Sequence, residues 1–256
     1  MVDDWKTFFA SLFDAEKIPF ARCLTPDGAV GRPSLCLFSD GSEVAYGCVG
    51  YVRWKLDDGS YWCHIIMAKC RIAPLSRINI PQMELNGAVV AKRLRQAILG
   101  ETRLEFDKVY HFIDSKTVLH QISRIAQRFS VYEGVRIGEI QSATHGDMSG
   151  WNWIPGHLNV GDLTTKPRGP EDLGPTSVWQ RGPDFLCKDE SQWPVEGCHT
   201  IEDERAPGER YFSFATNASV PLSAVDDVLL PSLVIGQDHW ISEWKLKVCW
   251  PKLVER

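Results

Sequence analysis

The chain has 256 residues, 44% of them apolar and 24% charged, with a formal net charge of −5. That is enough for one good-sized core or for one domain with extensions, and the charged fraction is ordinary for a globular protein. No apolar run reaches the roughly 18 residues a membrane span needs, and the acidic start MVDDWKTFFASLFDAEK lacks the basic region of a signal peptide.

Residues 1–33 hold one amphipathic helix candidate, Trp5 to Phe13, followed by a connection containing Pro and Gly. Three strands are expected next. They are the apolar run Leu35-Cys36-Leu37-Phe38, the alternating Ala45 to Trp54, and Tyr61 to Ala68, with Asp57-Asp58-Gly59 as the turn between the last two. A helix is expected to open near Pro81 and close at Gly100, its apolar face marked by Leu85, Ala88, Val89, Leu94 and Ile98. Val109 to Ile113 reads as a fourth strand and Val118 to Ile125 as a second helix. Ser130-Val131-Tyr132-Glu133 reads as a capping box opening a third helix, and Trp151 to Ile154 as a fifth strand. Three strands joined by short turns must be antiparallel, and strands separated by helices are parallel crossovers. The expected fold is therefore α/β, a mixed five-stranded sheet with helices on both faces. Its domain is drawn at 34–168, between an N-terminal connection (1–33) and an acidic C-terminal extension (169–256).

Charge divides along the same boundaries. Residues 34–168 carry 16 basic and 13 acidic side chains, a net of +3, whereas the remainder carries 12 and 20, a net of −8. Eight cysteines, at 23, 36, 48, 63, 70, 187, 198 and 249, form no Cys-x-x-Cys pair. They read as buried free thiols of an intracellular, cytoplasmic or nuclear, protein rather than as a zinc site.

The acids fall at particular places. Asp40 ends the first strand, Asp114 ends the fourth, Glu84 lies in the first turn of the long helix, and Asp162 follows the fifth strand. A lone Asp at a strand end is ordinarily a turn former, and Glu84 alone would only favour a helix N-terminus. If strands one and four are parallel neighbours, however, Asp40 and Asp114 emerge side by side at the sheet edge where open α/β sheets carry their sites. Clustered carboxylates repel unless a cation joins them, and hard oxygen ligands suit Mg²⁺ or Mn²⁺.

The stretches carrying these acids are Leu37-Phe38-Ser39-Asp40-Gly41-Ser42, Ile80-Pro81-Gln82-Met83-Glu84-Leu85, Phe112-Ile113-Asp114-Ser115 and the Trp-x-Pro-Gly-His-x-Asn-x-x-Asp run from Trp153 to Asp162. With them stand Ala68-Lys69-Cys70-Arg71-Ile72-Ala73-Pro74, Val131 to Ile140, Val178-Trp179-Gln180-Arg181-Gly182-Pro183 and Trp193-Pro194. Together they resemble the ribonuclease H domain of retroelements, closest to the BEL/Pao retrotransposon branch. The resemblance implies a ribonuclease H-like fold and a two-metal endonuclease that cuts the RNA strand of RNA–DNA hybrids. It implies Asp40, Glu84, Asp114 and Asp162 as ligands of two Mg²⁺ ions, with Mn²⁺ as substitute, and His157 at the place of a mobile catalytic histidine. Gly41, Ser42, Ser115 and Lys116 are then expected beside the substrate. The chain would be part of a polyprotein with reverse transcriptase and integrase, or a host gene derived from one. The alternative is a catalytically silent or domesticated module of the same fold that tethers or binds nucleic acid. An integrase or transposase would need a late helical Glu and a His/Cys zinc module, and neither is evident; the Tyr-x-Asp-Asp hairpin of a polymerase is absent.

Overall fold

The computed structural model describes residues 2–75, 78–144, 146–166, 169–198 and the pair 233–234. Helix α1 (Val2–Ala15) leads into β1 (Ala29–Gly41), β2 (Ala45–Leu56) and β3 (Tyr61–Ile72). Next come α2 (Ile80–Glu101), β4 (Lys108–Ile113), α3 (Lys116–Ile122), α4 (Val131–Ser142) and β5 (Trp151–Trp153). Short helices α5 (Asp162–Thr165) and α6 (Val178–Arg181) follow, with single 3-10 turns between and after them. The sheet runs β5-β4-β1-β2-β3, with two-residue strands β6 (Glu196–Gly197) beside β5 and β7 (Leu233–Val234) beside β3. The expected five strands are thus the body of the sheet, and the two short ones lengthen its edges. β1–β2 and β2–β3 are antiparallel; β1–β4 and β4–β5 are parallel.

β1 is buried on both faces from Ser34 onward, as a central strand with parallel and antiparallel neighbours must be. Its alternation splits the core. Leu35 and Leu37 join Leu85, Val89, Leu94, Ile98 and Ile137 beneath α2 and α4, while Cys36 and Phe38 join Phe112, Ile154, Phe185, Leu186 and Trp193 on the other face. β1 begins at Ala29, inside the stretch read as a connection, because Ala29 and Val30 still pair with Leu56 and Lys55 before a register shift ahead of Ser34. The turn at Asp57–Gly59 closes with the Gly59 amide on Leu56 carbonyl, and Gly59 takes a positive φ of 81°. At Ser130 the capping box departs from its usual form. The Ser130 hydroxyl meets the Glu133 carboxylate instead of a helix amide.

The largest difference from the sequence reading lies after residue 168. The second face of the sheet is covered not by long helices but by the stretch 170–198, read from its Pro content as an extension. Arg53 on β2 is buried and explains why: its Nε and NH2 donate to the carbonyls of Leu186 and Lys188, both at 2.7 Å, and its NH1 reaches Glu190 at 3.3 Å. Its guanidinium lies 3.8 Å from the Tyr61 ring centroid and 4.8 Å from that of Trp193. Short turns carry no hydrophobic period, so this packing leaves little trace in sequence patterning. Cys36, Cys48 and Cys63 are buried free thiols as expected, but Cys23 and Cys187 are exposed. Cys249, the Trp240, Trp244 and Trp250 cluster and most of residues 197–256 lie outside the described residues.

Candidate active site

Parallel pairing of β1 with β4 matches Phe38 to Phe112, so two residues on Asp40 and Asp114 stand level at the same end of the sheet. Glu84 is brought over this end by α2. The helix starts at Asn79, whose side chain accepts from the Gln82 amide, with proline inside its first turn. Two glycines allow α2 to lie directly on β1. A Cβ on Gly41 would stand 2.3 Å from the Met83 carbonyl, and one on Gly87 would stand 2.6 Å from the Asp40 carbonyl oxygen. Gly41, expected beside the substrate, therefore has a packing reason to be glycine.

Asp162 opens α5, and Asn159 fixes the approach to it. The buried Asn159 side chain donates to the Ser39 carbonyl at 3.0 Å and accepts from the Gly161 amide at 3.0 Å. Gly161 is itself packed so closely on β1 that a Cβ would stand 2.9 Å from the Ser39 carbonyl carbon. Each carboxylate has a local partner. Thr165 donates to Asp40, Ser115 donates to Glu84 at 2.6 Å, and Lys166 pairs with Asp162. Ser115 also caps α3 by accepting from the Val118 amide at 3.2 Å.

The electrostatics record mutual repulsion. Burial pushes the Asp114 carboxyl up to about 6, with the charges of Asp40 and Glu84 adding to it and the Asn159 amide opposing it. Burial raises Asp40 above its ordinary value, the Thr165 hydroxyl counters, and the Asp162 charge adds. Burial likewise raises Glu84, partly offset by Ser115 and reinforced by Asp40. Asp40 therefore feels Asp162, and its own charge acts on Glu84 and Asp114 across this end of the sheet. Even so, among the described residues no three His, Cys, Asp or Glu side chains stand as a ready metal-binding group. The donor set itself, four carboxylates of which Asp40, Glu84 and Asp114 have raised proton affinity, fits a hard divalent cation.

The remaining expected residues are placed as follows. His157 is exposed on the 3-10 turn Gly156–Leu158, and that turn abuts the site, because a Cβ on Gly156 would stand 3.3 Å from Asp114 Oδ2. The Ser42 hydroxyl is used within the β1–β2 turn, donating to the Ala45 carbonyl and accepting from the Ala45 amide, both at 3.1 Å. Lys116 lies near the site but is engaged by Glu196 at 2.7 and 2.9 Å and sits 4.1 Å from the Trp153 ring centroid. Trp153 also donates to the Asp114 carbonyl at 2.9 Å, while Trp151 is core. Sequence reasoning gave no role to Thr165, Asn159 or Gly161. The i, i+3 spacing of Asp162 and Thr165, which shares a helix face, was the available signal for the first.

Strand order, directions and the placement of acids define an α/β ribonuclease H-like domain. Residues 1–115 match the model of the Pao retrotransposon-like RNaseH-like domain. The matched stretch takes in Asp40, Glu84 and Asp114; His157 and Asp162 lie beyond it. Among solved structures, the chain is similar to the N-terminal RNase H domain of Rv2228c from Mycobacterium tuberculosis. The two are 14% identical with a TM-score of 0.33, over 52% of this chain and 91% of that one. It is also similar to RNase H1 from the archaeon Halobacterium salinarum, 16% identical with a TM-score of 0.30, over 52% and 94% of the respective chains. No curated protein matches the chain. Among the described residues no helix is long and apolar enough to cross a membrane.

Proposed function

We propose that this domain is a metal-dependent ribonuclease H, hydrolysing the RNA strand of RNA–DNA hybrids during reverse transcription of a retrotransposon. The reading is supported by the level ends of β1 and β4, which carry Asp40 and Asp114, and by burial, which raises Asp40, Glu84 and Asp114, the Asp40 charge adding to the other two. Such an arrangement is costly unless divalent cations neutralise it. Asp40, Glu84, Asp114 and Asp162 would hold two Mg²⁺ ions, with Mn²⁺ able to replace them. Bound there, the ions supply Lewis-acid activation of water and charge neutralisation at the leaving oxygen.

The chain's own residues do the rest. Thr165 and Ser115 set the orientation of Asp40 and Glu84. Lys166 pairs with Asp162 and would have to release it for Asp162 to hold a cation. His157, exposed next to the Gly156 that approaches Asp114, would pass a proton between the site and bulk water. Strand choice falls to the groups bordering Glu84 and Ser115, where a 2′-hydroxyl can be felt. Reverse transcriptase and integrase of the same polyprotein are the expected neighbours, inside the cell.

The test is one hybrid labelled on either strand, beside duplex DNA and single-stranded RNA, with Mg²⁺, Mn²⁺ or EDTA. Cutting of the RNA strand of the hybrid alone, lost in EDTA, is expected. Equal cutting of both strands would refute ribonuclease H. A second reading is a silent module that tethers or binds nucleic acid, to which the hydrogen-bonded Asp40 and Glu84 and the Lys166-paired Asp162 are equally suited. It predicts hybrid binding with no cleavage under either metal.

A further inference from the structure

β3 is the last long strand of the sheet. Its inner side pairs with β2 from Tyr61 to Ile72. Among the described residues its outer edge carries only β7, with Val234 opposite Met67 and Leu233 opposite Ala68. Such an edge offers a row of main-chain donors and acceptors to any extended chain that reaches it.

A cavity of about 490 Å³ opens beside the other half of this edge. Four consecutive residues of β3, Tyr61, Trp62, Cys63 and His64, line it, and no residue of β2 does. Neighbours on a strand face opposite sides of the sheet, so one cavity meets all four only along the outer edge. Trp62 and His64 make a flat wall, their rings stacked 5.5 Å apart and 18° from parallel. The facing walls come from Pro19, Phe20 and Ala21 and from α6. Gln180 ties these two together, its side chain donating to the carbonyls of Pro19 at 2.9 Å and Leu173 at 2.8 Å. Among the described residues that line the cavity there is no Asp or Glu, and Arg181 is the only Lys or Arg. Arg181 Nε donates to the Pro175 carbonyl at 3.0 Å, and no acid among the described residues forms an ion pair with it. The volume falls within the roughly 300–1,000 Å³ of ligand sites. An edge, aromatic walls and an unanswered guanidinium together suit an extended peptide with an aromatic side chain and a carboxylate.

The chain itself carries such a peptide at the right distance. β7 runs antiparallel to β3, so the residues after Val234 head from Met67 toward Tyr61. Tyr61 is six residues from Met67, and the six residues after Val234 are Ile235-Gly236-Gln237-Asp238-His239-Trp240. The register shift between Gly50 and Tyr51 on the β2 side displaces this match by a single residue. We propose that residues 235–240, which lie outside the described residues, continue β7 along the edge of β3, set Trp240 among Phe20, Tyr61 and Trp62, and bring Asp238 to Arg181. Main-chain pairing supplies the affinity and the two side chains fix the register. The strap closes an edge that another copy of the chain could otherwise extend. It is remote from the carboxylates. Asp40 faces Gly47, Gly47 faces Cys70, and Cys70 lies nine residues, about 30 Å, along β3 from Tyr61. The strap is therefore independent of the reading of the domain as a nuclease.

Hydrogen exchange of the full chain, read by mass spectrometry, tests it. Amides of residues 235–240 and of Tyr61–Ile66 should exchange about tenfold or more slowly than those of an unstructured chain. Trp240→Ala should return residues 235–240 to fast exchange and should speed alkylation of Cys187, which lines the cavity. Trp244→Ala, beyond the reach of the cavity, should change neither. Circular dichroism reports whether Trp240→Ala folds; should it not, exchange in the wild-type chain decides alone. Exchange of residues 235–240 at the unstructured rate in wild type overturns the strap. Protection that fades on dilution overturns it too, since the edge would then be taken by a second copy. Protection that a folded Trp240→Ala variant retains in full overturns the seating of Trp240 and the proposal with it.

Discussion

Asp114 is the residue at which fold and chemistry meet. It ends β4 beside β1, its backbone carbonyl is held by Trp153, and its carboxyl is raised to about 6 by burial and by Asp40 and Glu84. Asp114→Asn keeps the shape and removes one repelling charge. Cleavage of a hybrid should fall by several orders of magnitude, while thermal stability of the metal-free protein holds or rises; full cleavage by this variant would remove Asp114 from the site. Folding raises this group's pKa, so its favourable contribution is present below the ordinary 3.8 and is lost as pH climbs through about 6. Buried His111, whose pKa is lowered to about 3 by burial and by Arg95, pulls the other way over part of the same range. The clean readout is therefore a difference. The stability advantage of Asp114→Asn over wild type in EDTA should grow from about pH 4 to about pH 7. An advantage that is constant with pH would show that Asp114 does not titrate in this window. Added Mg²⁺ should stabilise wild type more than the variant.

At the scale of elements, the contact that decides most is between β2 and the turns that follow α6. Arg53 makes two 2.7 Å bonds to main-chain carbonyls in a water-poor setting and stacks on two aromatic rings. Arg53→Ala removes the side-chain donor to the Leu186 carbonyl, leaves the Lys188 carbonyl with the Trp193 indole as donor, and opens a space beside Trp193. A loss of about 3 kcal/mol is expected, from charge-assisted bonds worth roughly 1.5–3 kcal/mol each, not fully additive. The midpoint of urea unfolding checks it, and a shift below about 0.5 kcal/mol, the range of ordinary surface changes, would show these turns to be an appendage. The α2–β1 contact makes a second demand at this scale. Gly41→Ala would force Met83 and Glu84 away from Asp40 and should impair both stability and metal response.

For the whole molecule the question is where the domain ends. Phe185, Leu186 and Trp193 complete the second core face, and the Cys198 amide donates to the Trp151 carbonyl beside β5. We propose a boundary near residue 198 rather than 168. A chain ending after residue 198 should fold cooperatively and keep cleavage, whereas one ending after residue 168 should expose Phe38, Phe112 and Tyr51 and be insoluble or molten. Size-exclusion chromatography and near-ultraviolet circular dichroism distinguish these outcomes. A well-folded 168-residue form would return the boundary to the place that composition suggests.

Much of this protein is written locally. Period-two alternation, the Asp57–Gly59 turn and the long amphipathic run after Pro81 suffice for five strands, a central helix and their order, because each is dictated by short-range sterics and by which face is apolar. The four carboxylates stand out in the sequence by their positions at strand ends and a helix start, while a shared metal site is what the resemblance of their motifs implies. Local sequence could not say that Thr165 would bind Asp40 or that Asn159 would stitch its loop to Ser39, since those partners lie 125 and 120 residues apart. Nor could it say that Pro-rich turns would close the second face. That depends on Arg53 finding carbonyls more than 130 residues away, and only chain closure in three dimensions brings such groups within hydrogen-bond range.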